Sequence, residues 1–80
     1  MRIDKYLKVS RIIKRRTVAN EACAQGRVMI NGKIAKPGTE VNVGDIIEIK
    51  FGEDTRKYEV LKVVEHMPKG DAEEIYRIIE

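Results

Sequence analysis

At Gly26-Arg27 the spacing of apolar residues changes from about 3.6 to two, and this change limits the folds open to a chain of 80 residues. Upstream, apolar residues recur at helical spacing. Downstream, Val28 and Ile30 alternate with Arg27, Met29 and Asn31, and Asn31-Gly32 follows, the strongest short-range hairpin signal. Helices first and strands afterwards predict an α+β domain: two N-terminal helices packed on a small, twisted, mostly antiparallel sheet, with a short C-terminal element. A chain this short buries only roughly 60% of its unfolded surface, so one domain is expected, with little room for a deep cleft.

Ile3 to Arg11 is predicted as a short amphipathic helix. Ile3, Tyr6, Leu7 and Ser10 share one arc, and Asp4, Lys5, Lys8 and Arg11 share the opposite one. Asp4 lies in the first turn, where a carboxylate complements the helix dipole and forms a local ion pair with Arg2. Continuing this helix would carry Ile12 onto the cationic arc. An end or bend is therefore expected between Arg11 and Ile13, with Ile13 and Ile12 turned inward and Lys14-Arg15-Arg16 left in the connection. Thr17 is a suitable N-cap for a second helix whose inward face is Val18, Ala19, Ala22 and Cys23, and Gly26 suits the position just past its end. After the hairpin, Lys33 to Lys36 form a return strand, Pro37-Gly38 and Gly44-Asp45 form turns, and Val41 and Val43 a short extended piece. Strands are expected over 46–51 and 57–64 with a loop at 52–55. Asp71 and Glu74 would cap a last short helix with Ala72, Ile75, Tyr76 and Ile79 at helical spacing; the β-prone YRII run also allows a strand there.

The net charge of +3 hides a strong asymmetry. Residues 1–36 hold ten Lys/Arg against Asp4 and Glu21, a balance of +8, and residues 37–80 hold six against eleven acids, a balance of −5. Such separation within one small domain points to a polyanion at the basic half. Cys23 is the only cysteine, which rules out an intrachain disulfide and favours a reducing compartment. No apolar run resembles a signal peptide or reaches the ~20 residues of a membrane helix, so a soluble cytoplasmic protein without membrane contact is expected. One Cys and one His make no zinc quartet, and there is no phosphate-binding glycine loop or Ser-His-Asp set. No enzyme and no cofactor are expected. Cys23 reads as a packed thiol, His66 as a surface histidine and Asn31-Gly32 as turn chemistry.

Arg2-Ile3-Asp4 with Leu7, then Arg15-Arg16, Ala19, Gly26-Arg27-Val28-Met29-Ile30-Asn31-Gly32 and the closing Gly44-Asp45 resemble, in order, the motifs of the S4 RNA-binding domain. Only Ile30 departs from the family's hairpin pattern, which has Val there. The resemblance covers about residues 1–51, and implies that the S4 core lies there within a single domain spanning 1–80, with a strand and short helix filling 57–80. The DKYLKVSRIIKRR wording is similar to the small stand-alone S4 proteins of bacterial ribosome-associated quality control. It is also related to the fifteen-kilodalton heat-shock S4 protein, whose basic C-terminal extension is replaced here by an acidic half.

That resemblance implies a monomeric, ribosome-associated factor bound to 23S rRNA and peptidyl-tRNA on the large subunit, supporting tail addition by the NEMF-type elongation factor. Subunit assembly or recycling is an alternative role. The residues themselves point the same way. Arg2, Lys5, Lys8, Arg11, Lys14, Arg15 and Arg16 supply cations around the first helix and the connection, and Thr17 and Asn20 supply neutral hydrogen bonds. Arg27 and Lys33 extend the positive surface onto the hairpin. The planar arginine fork suits bidentate phosphate contact. No aromatic cluster interleaves these cations, which argues against a stacking platform. A DNA-binding regulator, from the two short helices and basic turn, and a protein-interaction module using the acidic half are the rival classes.

Overall fold

The computed structural model describes residues 1–65 and 75–79. Two helices, α1 (Ile3–Val9) and α2 (Arg16–Ala24), precede β1 (Val28–Ile30), β2 (Lys33–Ile34), β3 (Ile46–Phe51), β4 (Asp54–Val60) and β5 (Tyr76–Ile78). The strands form one antiparallel sheet in the order β2-β1-β3-β4-β5. Alternation sends Val28, Ile30, Ile47, Ile49, Tyr58 and Val60 into the core, where they meet Ile3, Tyr6, Leu7, Ile13, Ala19, Ala22 and Cys23 from the helical layer. Small residues at 19, 22 and 23 let α2 sit close to its neighbours, although Val18, expected inward, is 43% exposed.

The hairpins follow turn chemistry. Asn31 (φ 52°) and Gly32 (φ 83°) both take positive φ, the requirement of a type I′ turn, with Ile30 opposite Lys33. Asn31 does more than turn the chain: its Nδ2 donates to Asp45 at 3.0 Å and its Oδ1 accepts from the Ile46 N–H at 2.9 Å, tying the hairpin to the start of β3. Gly52 (φ 63°) allows a two-residue turn between β3 and β4, so β4 begins at Asp54 and the expected loop at 52–55 shrinks.

The last element corrects an expectation. Tyr76–Ile78 is a strand, paired Val60 to Tyr76 and Tyr58 to Ile78, and not part of a helix. The helical spacing of Ile75, Tyr76 and Ile79 is overridden by pairing with β4: the Tyr58 and Tyr76 rings meet edge to face at 5.4 Å. Ile75 is buried, and its carbonyl accepts from the Leu61 and Lys62 N–H groups and the Tyr6 hydroxyl. His66, the Pro68–Gly70 break and the Asp71/Glu74 cap lie outside the described residues. Among the described residues, no helix is long and apolar enough to cross a membrane.

Candidate nucleic-acid interface

The segment between the helices forms a corner. Ser10 ends α1, its Oγ donating to the Leu7 carbonyl at 3.3 Å, and Arg11 adopts left-handed φ of 64°. A non-glycine residue in that region is sterically disfavoured. The conformation reverses the chain, and the Ile13 N–H reaches the Leu7 carbonyl at 3.0 Å. Ile13 is buried and Ile12 half-buried against the core, while Arg11, Lys14, Arg15 and Arg16 stay exposed. The corner thus separates burial from charge as the sequence predicted.

Helix α1 begins at Ile3 as expected, whereas α2 begins two residues earlier than a Thr17 N-cap implies. The N-cap of α1 is Arg2, without a side-chain cap, because the first turn is satisfied by tertiary acceptors. The Ile3 N–H donates to the Thr39 carbonyl at 2.8 Å, Asp4 N–H to that of Pro37 at 3.3 Å, and Lys5 N–H to the Asp4 carboxylate at 2.8 Å. The N-cap of α2 is Arg15 rather than Thr17, and again no side chain caps it. No acceptor among the described residues takes the N–H groups of Arg16, Thr17 and Val18. Helix α2 therefore offers free donors and its positive dipole end to solvent, beside Arg15 and Arg16. At its other end Gly26 (φ 75°) closes a Schellman motif, with Gly26 N–H to Cys23 and Arg27 N–H to Ala22, both at 3.0 Å.

Asp4 organises the surface between the two helices, although the helical wheel placed it on the exposed cationic arc. It is 1% exposed. Its two oxygens accept from Arg2 Nε at 3.2 Å and Arg2 Nη2 at 3.1 Å, and from Asn20 Nδ2 at 3.2 Å, with Arg16 Nη2 at 3.6 Å. Burial pushes its carboxyl pKa up. Hydrogen bonds from Asn20, Arg2 and the Lys5 N–H, with the Arg16 charge, outweigh that effect, so the net value lies below the ordinary 3.8. Arg2, Arg16, Thr17, Asn20 and Glu21 line an open cleft of about 460 Å³ over this carboxylate. Arg2 and Arg16 remain half exposed, so their guanidinium groups are held from one side and free on the other.

The structure thus brings Arg2, Arg16, Thr17 and Asn20 together, with Lys14 and Arg15 at the adjoining corner. Lys8 and Arg11 lie exposed in the last turn and at the end of α1. The Lys5 ammonium is paired with Glu65. By strand register Lys33 shares the side of Ile30, at the sheet edge, whereas Arg27 lies on the face away from the helices and apart from the cleft. Among the described residues no carboxylate lies within ion-pair distance of Lys8, Arg11, Lys14, Arg15, Arg27 or Lys33. Sequence reasoning missed Glu21 in the cleft wall and the hub role of Asp4. The Asp4–Asn20 contact spans sixteen positions and depends on how the helices cross.

Comparison with known proteins agrees with this architecture. The S4 domain family matches residues 1–47. A protein of Halalkalibacterium halodurans named "RQC P-site tRNA stabilizing factor" is 49% identical over 78 residues, covering 98% of this chain and 89% of its own. A protein of the same name from Bacillus subtilis is 42% identical, over 100% of this chain and 93% of its own. Among solved structures, trimeric Heat Shock Protein 15 of Vibrio cholerae superposes with a TM-score of 0.87 at 30% identity, covering 98% of this chain and 80% of that one. The hypothetical protein HP1423 gives 0.84 at 32% identity, covering 100% and 98%. With its motifs, its helix pair and its sheet all in that pattern, the chain belongs to the S4 domain family.

Proposed function

We propose that this chain is a non-enzymatic RNA-binding factor of the large ribosomal subunit, contacting 23S rRNA and tRNA in the quality control of stalled peptidyl-tRNA. The observation that carries the reading is the corner at the start of α2. There Lys14 and Arg15 lack counter-ions among the described residues, α2 presents uncapped N–H groups, and Asp4 holds Arg2 and Arg16 at the rim of a cleft. Free N–H groups and a helix dipole bind phosphate oxygens, and pre-oriented arginine forks bind them bidentately. A-form RNA hides its base edges, so such a face reads phosphates, 2′-OH groups and shape.

The names of the relatives give the setting: several at 42–51% identity over nearly the whole chain are called P-site tRNA stabilizing factors of that quality-control system. By analogy the domain acts as a monomer in the cytoplasm, bridges rRNA and tRNA, and supports tail addition by the NEMF-type factor. Against a DNA-binding regulator stands Asn20, the best base-reading side chain of α2, whose amide is engaged by Asp4. Sedimentation with large subunits that do or do not carry peptidyl-tRNA tests the proposal. Preference for the loaded subunit is expected, and equal binding to both would overturn the quality-control reading.

A further inference from the structure

The face of the sheet turned away from the helices carries a second groove, which the cleft around Asp4 does not explain. Register extends the β1–β3 ladder so that Arg27 stands opposite Lys50, whose N–H donates to the Arg27 carbonyl at 2.9 Å, and Lys50 stands opposite Thr55. The next row on this face runs Ile34, Met29, Glu48, Lys57. Over the two rows lies a groove of about 420 Å³ lined by Arg27, Met29, Ile34, Glu48, Lys50 and Thr55, with Gly26 and Gly32 beside it.

Two features of the groove call for an anion with an apolar body. Like charges directly opposite on one face destabilise a sheet, yet Arg27 and Lys50 are so placed, with no carboxylate in ion-pair distance among the described residues. Glu48 stands opposite Lys57, which leaves the Arg27–Lys50 end of the groove positive. Beside that end, Ile34 is 68% exposed and adjoins Met29 across the hairpin, forming an uncovered apolar shelf. At Gly32, beside the groove, nothing lies within 4 Å of a Cβ built there, so that rim is open.

We propose that this groove holds an unpaired nucleotide of a single RNA strand. Its base lies on Met29 and Ile34, its phosphate sits between Arg27 and Lys50, and the Thr55 hydroxyl bonds the sugar or phosphate. Glu48 at the inner end accepts from an exocyclic amino group, which favours cytosine. The inference rests on the RNA-binding reading and deepens it, because it gives the domain RNA-binding sites on opposite faces of its sheet.

Amide ¹H–¹⁵N shifts of the full chain titrated with oligocytidylate test it. Shifts at residues 27, 29, 34, 48, 50 and 55 are expected, and they should persist in the Arg15→Ala/Arg16→Ala variant. In Arg27→Ala/Lys50→Ala they should vanish, and the salt slope of oligonucleotide binding should fall by about 0.7 for each phosphate no longer neutralised. Both substituted side chains are exposed, so the unchanged amides elsewhere report an intact fold. Shifts confined to the Asp4 cleft, or surviving in Arg27→Ala/Lys50→Ala, would overturn the proposal. So would the same amides responding to an acidic peptide and not to the oligonucleotide, which would make the groove a protein site. Failure of the ribosomal reading appears instead in large-subunit sedimentation, so the two failures are distinguishable.

Discussion

Replacing Asp4 with Asn separates two accounts of the basic face. By charge counting alone, removing a carboxylate from among Arg2, Arg16 and Lys5 should tighten RNA binding. By the geometry it should weaken it. Four hydrogen bonds, two from Arg2 and one each from Asn20 and the Lys5 N–H, converge on the two Asp4 oxygens. An Asn side chain has one acceptor oxygen, so its amide nitrogen would face donors wherever it points. Hydrogen bonds to a charged group are worth about 1.5–3 kcal/mol each, and Arg2 is half exposed, so the destabilisation should total about 2–4 kcal/mol. For a domain of this size that lowers Tm by roughly 10–25 °C. The acid limb carries a second signature. The folded Asp4 pKa lies below 3.8, so its contribution is complete above that value and disappears as pH falls through the folded pKa. The stability gap between wild type and Asp4→Asn should therefore shrink below about pH 3.8. Thermal melts across pH, with filter binding of structured RNA well below the variant's Tm, supply the measurements. A variant that melts within a degree or two of wild type and binds RNA as tightly or more tightly would refute the reasoning.

Three further outcomes follow from the packing. Tyr6→Phe should cost only about 0.5–1 kcal/mol by denaturant titration, because the Ile75 carbonyl keeps the Leu61 and Lys62 N–H donors when the hydroxyl is removed. Asn31→Ala should cost about 1–2 kcal/mol in the same assay, since it removes the hydrogen bonds to Asp45 and Ile46 and places alanine at φ 52°. Burial, and then the Asp4 charge, push the Cys23 thiol up to about 11, so a thiol reagent at neutral pH should modify it only as fast as the chain unfolds. Rapid modification of the native protein would show that α2 does not pack as described.

The helix pair, the first hairpin and strand β3 were legible because each rests on local rules. Ile3, Tyr6, Leu7 and Ser10 share one helical arc, and all four are buried. Asn31-Gly32 is the dipeptide that a type I′ turn demands. The misses lie where tertiary structure supplies what the local sequence lacks. Carbonyls of Thr39 and Pro37 replace a side-chain cap on α1, and no side chain caps α2, so a search for capping residues misplaced its start at Thr17. Tyr76–Ile78 follows the strand it pairs with rather than its own helical spacing. Among the candidate site residues, charge alone grouped Arg27 with the helical cations. Strand alternation, equally readable from the sequence, puts it on the opposite face.

The central claim is that the corner from Lys14 to Arg16 and the cleft held by Asp4 bind the ribosomal RNA. It is tested most directly by titrating large subunits that carry peptidyl-tRNA with the wild-type chain and with Arg15→Ala/Arg16→Ala, at several salt concentrations. With six to eight phosphate contacts, wild-type affinity should fall on the order of 10³-fold or more over a fourfold rise in salt. The variant should bind far more weakly, with its salt slope reduced by roughly one for each cation removed. Equal affinity and equal slope for the two proteins would contradict the account and move the ribosomal site elsewhere on the chain.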